Sequence, residues 1–239
     1  MLTPIDIAFY TLIPAAFAVI GGLIGSFFIP GKKLASVIQH FVAGIILAAV
    51  AVELLPKILP SKSIYTVGLG FVLGVIVMLL IETYAHRMKH KGERKKMPLS
   101  MIFAAGVDLF VDGILIGVSF LAGKESGIWI AIALSSCAFF VTLSTSTVLK
   151  KKQVILPIRV FCVLLFALAL PIGALIGGAI ISHIPSVYLV ETLAFGVAAL
   201  LYLAIEELIV SAHADNKEEP AWVTATFFLG FLLIMLFRM

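Results

Sequence analysis

Residues 101–123 read MIFAAGVDLFVDGILIGVSFLAG, an apolar stretch interrupted by two acidic residues, Asp108 and Asp112. An apolar run of about 20 residues crosses the roughly 30 Å hydrocarbon layer of a bilayer as an α-helix. A spacing of four places both carboxylates on one helical face, with Cβ atoms about 5–6 Å apart. Each carboxylate costs roughly 2.5–3.5 kcal/mol at the centre of a membrane helix, and two like charges so close favour a bound cation or a shared proton. The stretch therefore predicts a membrane protein with a cation site at Asp108 and Asp112.

Composition supports the same class. The chain has 239 residues, of which 62% are hydrophobic and 13% are charged, a balance typical of a polytopic membrane protein. The net charge of +4 comes mostly from short basic segments between apolar runs, so nucleic acid is not expected as a partner. Cys137 and Cys162 lie within apolar segments, which argues against a disulfide framework.

The apolar runs predict a single all-α transmembrane domain over residues 1–239, with the lipid bilayer as its surroundings. Basic, Pro-containing or charged segments separate the runs, and residues 86–97 form the most basic of them, predicted to be a cytoplasmic loop. Eight transmembrane helices are predicted, over residues 5–29, 34–56, 64–85, 98–122, 126–149, 154–182, 186–211 and 220–238.

The distribution of positive charge predicts the orientation of these spans. The segments that follow odd-numbered spans carry twelve Lys and Arg residues, and those that follow even-numbered spans, including the C-terminus, carry four. Positive residues concentrate on the cytoplasmic side, so both termini are expected outside.

A short internal repeat accompanies this layout. Residues 21–25 (GGLIG) resemble residues 173–177 (GALIG), and Glu53 and Glu207 each precede an apolar pair near the end of a span. The matching spans are the first and sixth and the second and seventh, each pair five spans apart. Because successive spans alternate in direction, the two repeats run through the membrane in opposite directions. Such inverted repeats are typical of transporters.

Other polar residues within the spans have both a functional and a structural interpretation. Ser135 and Ser136 are candidate pathway residues, although hydroxyls in membrane helices commonly bond the carbonyl four residues back. Glu53 and Glu206 could line a vestibule, or simply reach water near the helix ends. The aspartates themselves could be protonated structural groups, or face a basic partner such as Arg159 or His40.

The histidines indicate a metal site less clearly than the two aspartates do. His40 is expected to be a packed or interfacial residue. His86 and His90 are four apart in the basic segment and could hold a transition metal, although a solvated loop is the preferred interpretation. No constellation of catalytic residues is present, so the chain is not expected to be an enzyme or to need a cofactor.

The pattern resembles the ZIP (Zrt/Irt-like) family of metal-ion transporters over essentially the whole chain. The family's fourth-span H-N-x-x-D/E-G corresponds to residues 108–113, DLFVDG. Further matching pieces are residues 41–44 (FVAG), 53–56 (ELLP), 171–177 (PIGALIG) and 201–208 (LYLAIEEL). The resemblance implies an eight-helix 3+2+3 inverted-repeat bundle and a divalent metal ion as the transported substrate, and it is compatible with a homodimer.

Several family ligands are replaced in this chain. The fourth-span His and Asn are Asp108 and Leu109, the fifth-span H-E-x-P-E is absent with Ser135 and Ser136 at its start, and the acidic residue before the sixth-span proline is Leu170. The resemblance then implies at most one cation site, built from Asp108 and Asp112 with hydroxyls, water or Glu206.

The expected function is uptake of zinc, manganese or a similar divalent cation by alternating access. The small size of the segments between the spans favours a prokaryotic cytoplasmic (inner) membrane. The all-oxygen ligand set favours cations harder than zinc, because zinc sites usually take imidazole or thiolate ligands. Two alternatives stay open: a transport-inactive relative with a regulatory or interaction role, and a proton-coupled carrier of another solute.

Overall fold

The chain folds as an all-α protein. The computed structural model describes residues 4–61, 63–92, 99–183, 188–214 and 220–238, and no β-strand occurs among them. Helices satisfy every backbone hydrogen bond within one segment, which is what an apolar run inside a bilayer requires. The predicted all-α class is therefore confirmed for these residues.

The described residues form eleven α-helices with short π- and 3₁₀-helical connections. Helices α3 and α9 each run directly into a π-helical turn, over Val50–Leu54 and Leu203–Ile209 respectively. The α-helices are α1 Pro4–Tyr10, α2 Leu12–Phe27, α3 Lys32–Ala49, α4 Leu55–Ile58, α5 Ile64–Gly92, α6 Leu99–Ser119, α7 Lys124–Lys151, α8 Leu156–His183, α9 Leu189–Tyr202, α10 Val210–Ala214 and α11 Ala221–Arg238.

Seven helical stretches among the described residues are long and apolar enough to cross a membrane, which marks the chain as an integral membrane protein. They correspond to the first seven predicted spans. The eighth predicted span, 220–238, corresponds to a shorter apolar stretch, Ala221–Phe237. The seven stretches are Ile5–Phe27, Lys32–Ser61, Ile64–Thr83, Met101–Ala122, Lys124–Lys151, Leu156–Ala179 and Leu189–Glu206.

The basic segment predicted as a loop is partly helical. Helix α5 continues through residues 86–92, because Lys, Arg and Met are good helix formers and residues 64–92 contain no proline. Residues 93–98, the remainder of the segment, lie outside the described residues.

The helices group into two compact units, each assembled from stretches far apart in the sequence. The first unit contains Met1–Ile29, Leu79–Val118 and Leu134–His183. The second contains Pro30–Met78, Ser119–Ala133 and Ile184–Met239. The predicted site residues are divided between the units: Asp108, Asp112, Ser135 and Ser136 belong to the first, and Glu53 and Glu206 to the second.

In the first unit, glycines of α2 bring it into backbone contact with α7. A Cβ placed on Gly21 would collide with the carbonyl oxygen of Phe139, and one placed on Gly25 with that of Leu143. Small residues that allow such close approach are typical of helix interfaces in membranes. These glycines therefore fix the contact between the two helices.

The same unit contains an equivalent contact between α8 and α6. A Cβ on Gly173 would collide with the carbonyl oxygen of Phe110, and one on Gly177 would lie 2.6 Å from that of Ile114. Gly173 and Gly177 lie 152 residues after the α2 glycines, as the predicted repeat requires. Both members of the glycine repeat thus perform the same packing task.

In the second unit, two phenylalanine carbonyls at equivalent positions of the predicted repeat are each approached closely by a glycine of another helix. A Cβ on Gly230 of α11 would collide with the carbonyl oxygen of Phe41 in α3, and one on Gly74 of α5 would lie 2.6 Å from that of Phe195 in α9. Phe41 and Phe195 lie 154 residues apart, which is also the separation of Glu53 and Glu207 in the predicted repeat.

The two π-helical turns, Val50–Leu54 and Leu203–Ile209, also match at this shift, because Glu53 and Glu207 lie within them 154 residues apart. Short π-helical insertions are rare and often occur at functional sites. Two such turns at equivalent acidic positions give the repeat a second, independent structural feature.

Candidate functional site

Helix α6 carries the two aspartates one turn apart. The helix is continuous from Leu99 to Ser119, so Asp108 and Asp112 share one of its faces. Asp108 is partly exposed, whereas Asp112 is fully buried at 0% exposure. The predicted pair therefore lies between the interior of the first unit and its surface.

Helix α8 also packs closely against α6 next to Asp112. A Cβ on Gly113 would collide with the carbonyl oxygen of Leu170 and would lie 3.1 Å from the backbone nitrogen of Ala174. Pro171 stands inside α8 at this point; since proline has no N–H, the carbonyl of Ala167 lacks its usual helical donor. Asp112 is thus placed beside a helix whose backbone hydrogen bonding is interrupted.

The electrostatics of this arrangement favour a cation. Two ionised carboxylates about 6 Å apart repel each other by about 3 kcal/mol at an effective dielectric constant of about 20. Asp112 is also removed from water, which is costly for an ionisable residue inside a membrane helix. A bound divalent cation or a shared proton removes the repulsion between the two carboxylates.

The hydroxyl groups of α7 are only partly available as ligands. Thr142 donates its hydroxyl to the carbonyl oxygen of Ala138 at 2.8 Å, the back-bonding expected in membrane helices. Ser135 is buried and Ser136 is partly exposed. Both belong to the same unit as the aspartates, which keeps them as candidate pathway residues.

Two basic residues of the first unit bind the C-terminal end of α2. Arg159 donates from Nη1 to the carbonyl oxygen of Ser26 at 2.6 Å, and the Lys150 ammonium donates to that of Phe27. Cations at this position satisfy the last carbonyls of a helix and the negative end of its dipole. Arg159 therefore has a structural role at the end of the first span.

Glu53 is the buried acidic residue of the second unit. It is 2% exposed within the π-helical turn Val50–Leu54, and its Oε2 accepts a hydrogen bond of 2.8 Å from the Ser126 hydroxyl. The interpretation that Glu53 simply reaches water near a helix end is therefore wrong. Sequence reasoning did not single out Ser126, because a serine in the first turns of α7 gives no signal before its distant partner is known.

Glu206 differs from Glu53. It lies in the second π-helical turn and is exposed. Within the part of the chain that the structure describes, no group of three or more His, Cys, Asp or Glu side chains is placed to hold a metal ion. A metal at Asp108 and Asp112 would consequently need hydroxyl, backbone or water oxygens to complete its coordination.

The remaining histidines include one that sequence reasoning missed. His40 is buried, as expected of a packed residue, but its ring contacts that of His213, a residue with no pattern of its own. The side chains of His86 and His90 lie outside the described part of the structure.

The chain matches no model of a known protein family and no curated protein.

Proposed function

We propose that this chain is a ZIP-like transporter that moves a divalent cation across the membrane by alternating access. The observation that carries the proposal is the Asp108–Asp112 pair: two carboxylates one turn apart on a membrane-length helix, one of them fully buried. Ionisable residues inside a membrane helix are costly and usually mark a pathway for ions or substrate.

The proposal includes an eight-span layout of two inverted three-helix repeats with two helices between them. Support comes from the equivalent glycine contacts of α2 and α8, from the Phe41 and Phe195 carbonyls that each meet a glycine, and from the paired π-helical turns. Transporters of this kind bind their substrate near the bilayer midplane on discontinuous helices. Pro171 removes one backbone hydrogen bond from α8 near Asp112, although α8 continues through it as one helix.

In this mechanism Asp108 and Asp112 bind the cation and the cation neutralises their repulsion. Release follows when the opposite side of the membrane gains access and water replaces the oxygen ligands. Because the available donors are oxygens, we expect Mn²⁺ or Mg²⁺ to compete well with Zn²⁺. Glu53 and Glu206 are proposed as pathway residues outside the binding step.

The proposal is tested by uptake of Zn²⁺, Mn²⁺, Cd²⁺ and Mg²⁺ into proteoliposomes. We expect Asp108→Asn/Asp112→Asn to reduce uptake at least tenfold, since amides keep the shape of the carboxylates but lose their charge. Asp6→Asn is the matched control, because it makes the same substitution at an exposed position of α1. Equal metal binding and uptake in the double variant and the unaltered protein would refute the proposal.

One observation favours a second candidate, a transport-inactive ZIP-like protein with a regulatory or interaction role. Among the described residues, fewer than three strong metal ligands come together. No flux of any of the four metals in either protein would favour this candidate. Flux driven by a pH gradient without metal would instead indicate a proton-coupled carrier.

A further inference from the structure

Two histidines from separate helices meet in the second unit. His40 lies on α3 and His213 on α10, and the centroids of their rings are 4.9 Å apart at an interplanar angle of 74°. The helices that carry them are separated by most of the sequence, so this contact is a product of the fold. It is independent of the aspartates, which belong to the first unit.

The contacts of Nδ1 favour the same tautomer in both rings. Nδ1 of His40 lies 3.0 Å from the carbonyl oxygen of Ser36 and 3.3 Å from the Ser36 hydroxyl, and Nδ1 of His213 lies 2.9 Å from the carbonyl oxygen of Ile209. A carbonyl oxygen only accepts and a hydroxyl oxygen can also accept, so a proton on Nδ1 satisfies all of these contacts. In the neutral ring, Nε2 then presents a lone pair.

His40 lacks a partner for that lone pair. Its side chain is 1% exposed, and its Nε2 has no hydrogen-bond partner in the part of the chain that the structure describes. Buried polar atoms of this kind are rare and require an explanation, such as a role in binding an ion. His213 is exposed, so this side of the pair is accessible to solutes.

We propose that His40 and His213 form a binding site for a first-row transition-metal cation, with Nε2 of each ring as ligand and water completing the coordination. Histidine ligands to metals characteristically donate the other ring N–H to a carbonyl or carboxylate, which fixes ring orientation and raises ligand basicity. Both rings already have this arrangement. With two protein ligands the site selects metals that favour imidazole, such as Cu²⁺, Ni²⁺ or Zn²⁺, and differs in donor chemistry from the all-oxygen aspartate site.

The test uses Cu²⁺ added to the full chain in detergent micelles and electron paramagnetic resonance. The experiment uses the background variant His86→Gln/His90→Gln, because His86 and His90 lie four residues apart and could bind Cu²⁺ themselves. We expect one equivalent of Cu²⁺ with hyperfine coupling to two imidazole nitrogens. His40→Asn and His213→Asn should each reduce the coupling to one nitrogen and weaken Cu²⁺ binding at least tenfold. Asparagine suits the test because its amide N–H replaces the Nδ1 donor while Nε2 is lost.

His183→Asn serves as the matched control and should leave the spectrum unchanged. Asp108→Asn/Asp112→Asn should also leave it unchanged, which separates this proposal from the proposed transport site. A spectrum unaltered by both His40→Asn and His213→Asn would overturn the proposal, and so would loss of the signal in the aspartate variant. If circular dichroism shows that His40→Asn does not fold, the exposed His213→Asn decides the outcome alone.

Discussion

At the scale of single residues, the environments of Asp112 and Glu53, the two buried acidic residues among those that the structure describes, differ. Asp112 is buried on a regular α-helix one turn from a second carboxylate, whereas Glu53 is buried in a π-helical turn with a serine hydroxyl as donor. A hydrogen bond of this kind satisfies a buried polar group and fixes its position. We therefore infer that Ser126 positions Glu53, the proposed pathway residue, whereas the Asp108–Asp112 pair has the electrostatic character of a binding site.

Ser126→Ala should destabilise the protein. The substitution removes a donor from a buried carboxylate, which costs about 1–3 kcal/mol, and thermal unfolding in detergent should show a fall of about 2–4 °C for each kcal/mol. Thr192→Ala is the control, because the Thr192 hydroxyl bonds the carbonyl of Tyr188 at an exposed position, and it should change stability by less than about 0.5 kcal/mol. Equal melting temperatures for the two variants would show that the Ser126–Glu53 bond contributes little.

At the scale of helices, contacts between a glycine of one helix and a backbone carbonyl of its neighbour determine how each unit packs. Gly113 is the contact closest to the candidate site, since it follows Asp112 directly and meets the backbone of α8 at Leu170. Side chains cannot adjust at such a point, because the obstructing atoms belong to the backbone of the neighbouring helix. The position of Asp112 therefore depends on the absence of a side chain at the next residue.

Gly113→Ala should separate α6 from α8 at the level of Asp112. Overpacking of a close interface costs about 1–3 kcal/mol, and displacement of Asp112 should reduce cation uptake together with stability. Gly68→Ala is the matched control in α5, because a Cβ there meets nothing within 4 Å; it should be neutral or stabilise by up to about 1 kcal/mol. Unfolding temperature and proteoliposome uptake measure the two effects, and a Gly113→Ala protein with unaltered uptake would contradict the inferred contact.

The positions of the long apolar helices could be predicted from the sequence, whereas local irregularities within them could not. Apolar runs determine where membrane helices form, so the seven long stretches were found within a few residues. The π-helical turns at Glu53 and Glu206 were not predicted, because one extra residue in a turn leaves the apolar pattern almost unchanged. The Ser126–Glu53 bond and the His40–His213 contact were also missed, since each joins residues from distant helices and neither has a local pattern.

At the scale of the whole molecule, the number of spans decides the topology. If α11 crosses the membrane, eight spans place both termini on one side; otherwise they lie on opposite sides. The 18 residues of α11 rise about 27 Å as an α-helix, slightly less than the hydrocarbon thickness. Local thinning of the bilayer accommodates such a mismatch at modest cost. The contact of Gly230 with the Phe41 carbonyl holds α11 against α3, which is part of the membrane-length helical stretch Lys32–Ser61.

We therefore expect α11 to span the membrane and both termini to lie outside. In a bacterial host, alkaline phosphatase fused after Arg238 should be active, because this enzyme folds only outside the cytoplasm, whereas the same reporter fused after Pro220 should be inactive. Green fluorescent protein at the two positions should give the opposite pattern, and fusions after Lys152 provide an independent cytoplasmic reference. Identical reporter activity before and after α11 would mean that this helix does not cross. The layout would then reduce to seven spans, and the proposed pairing of the third span with the eighth as inverted repeats would fail with it.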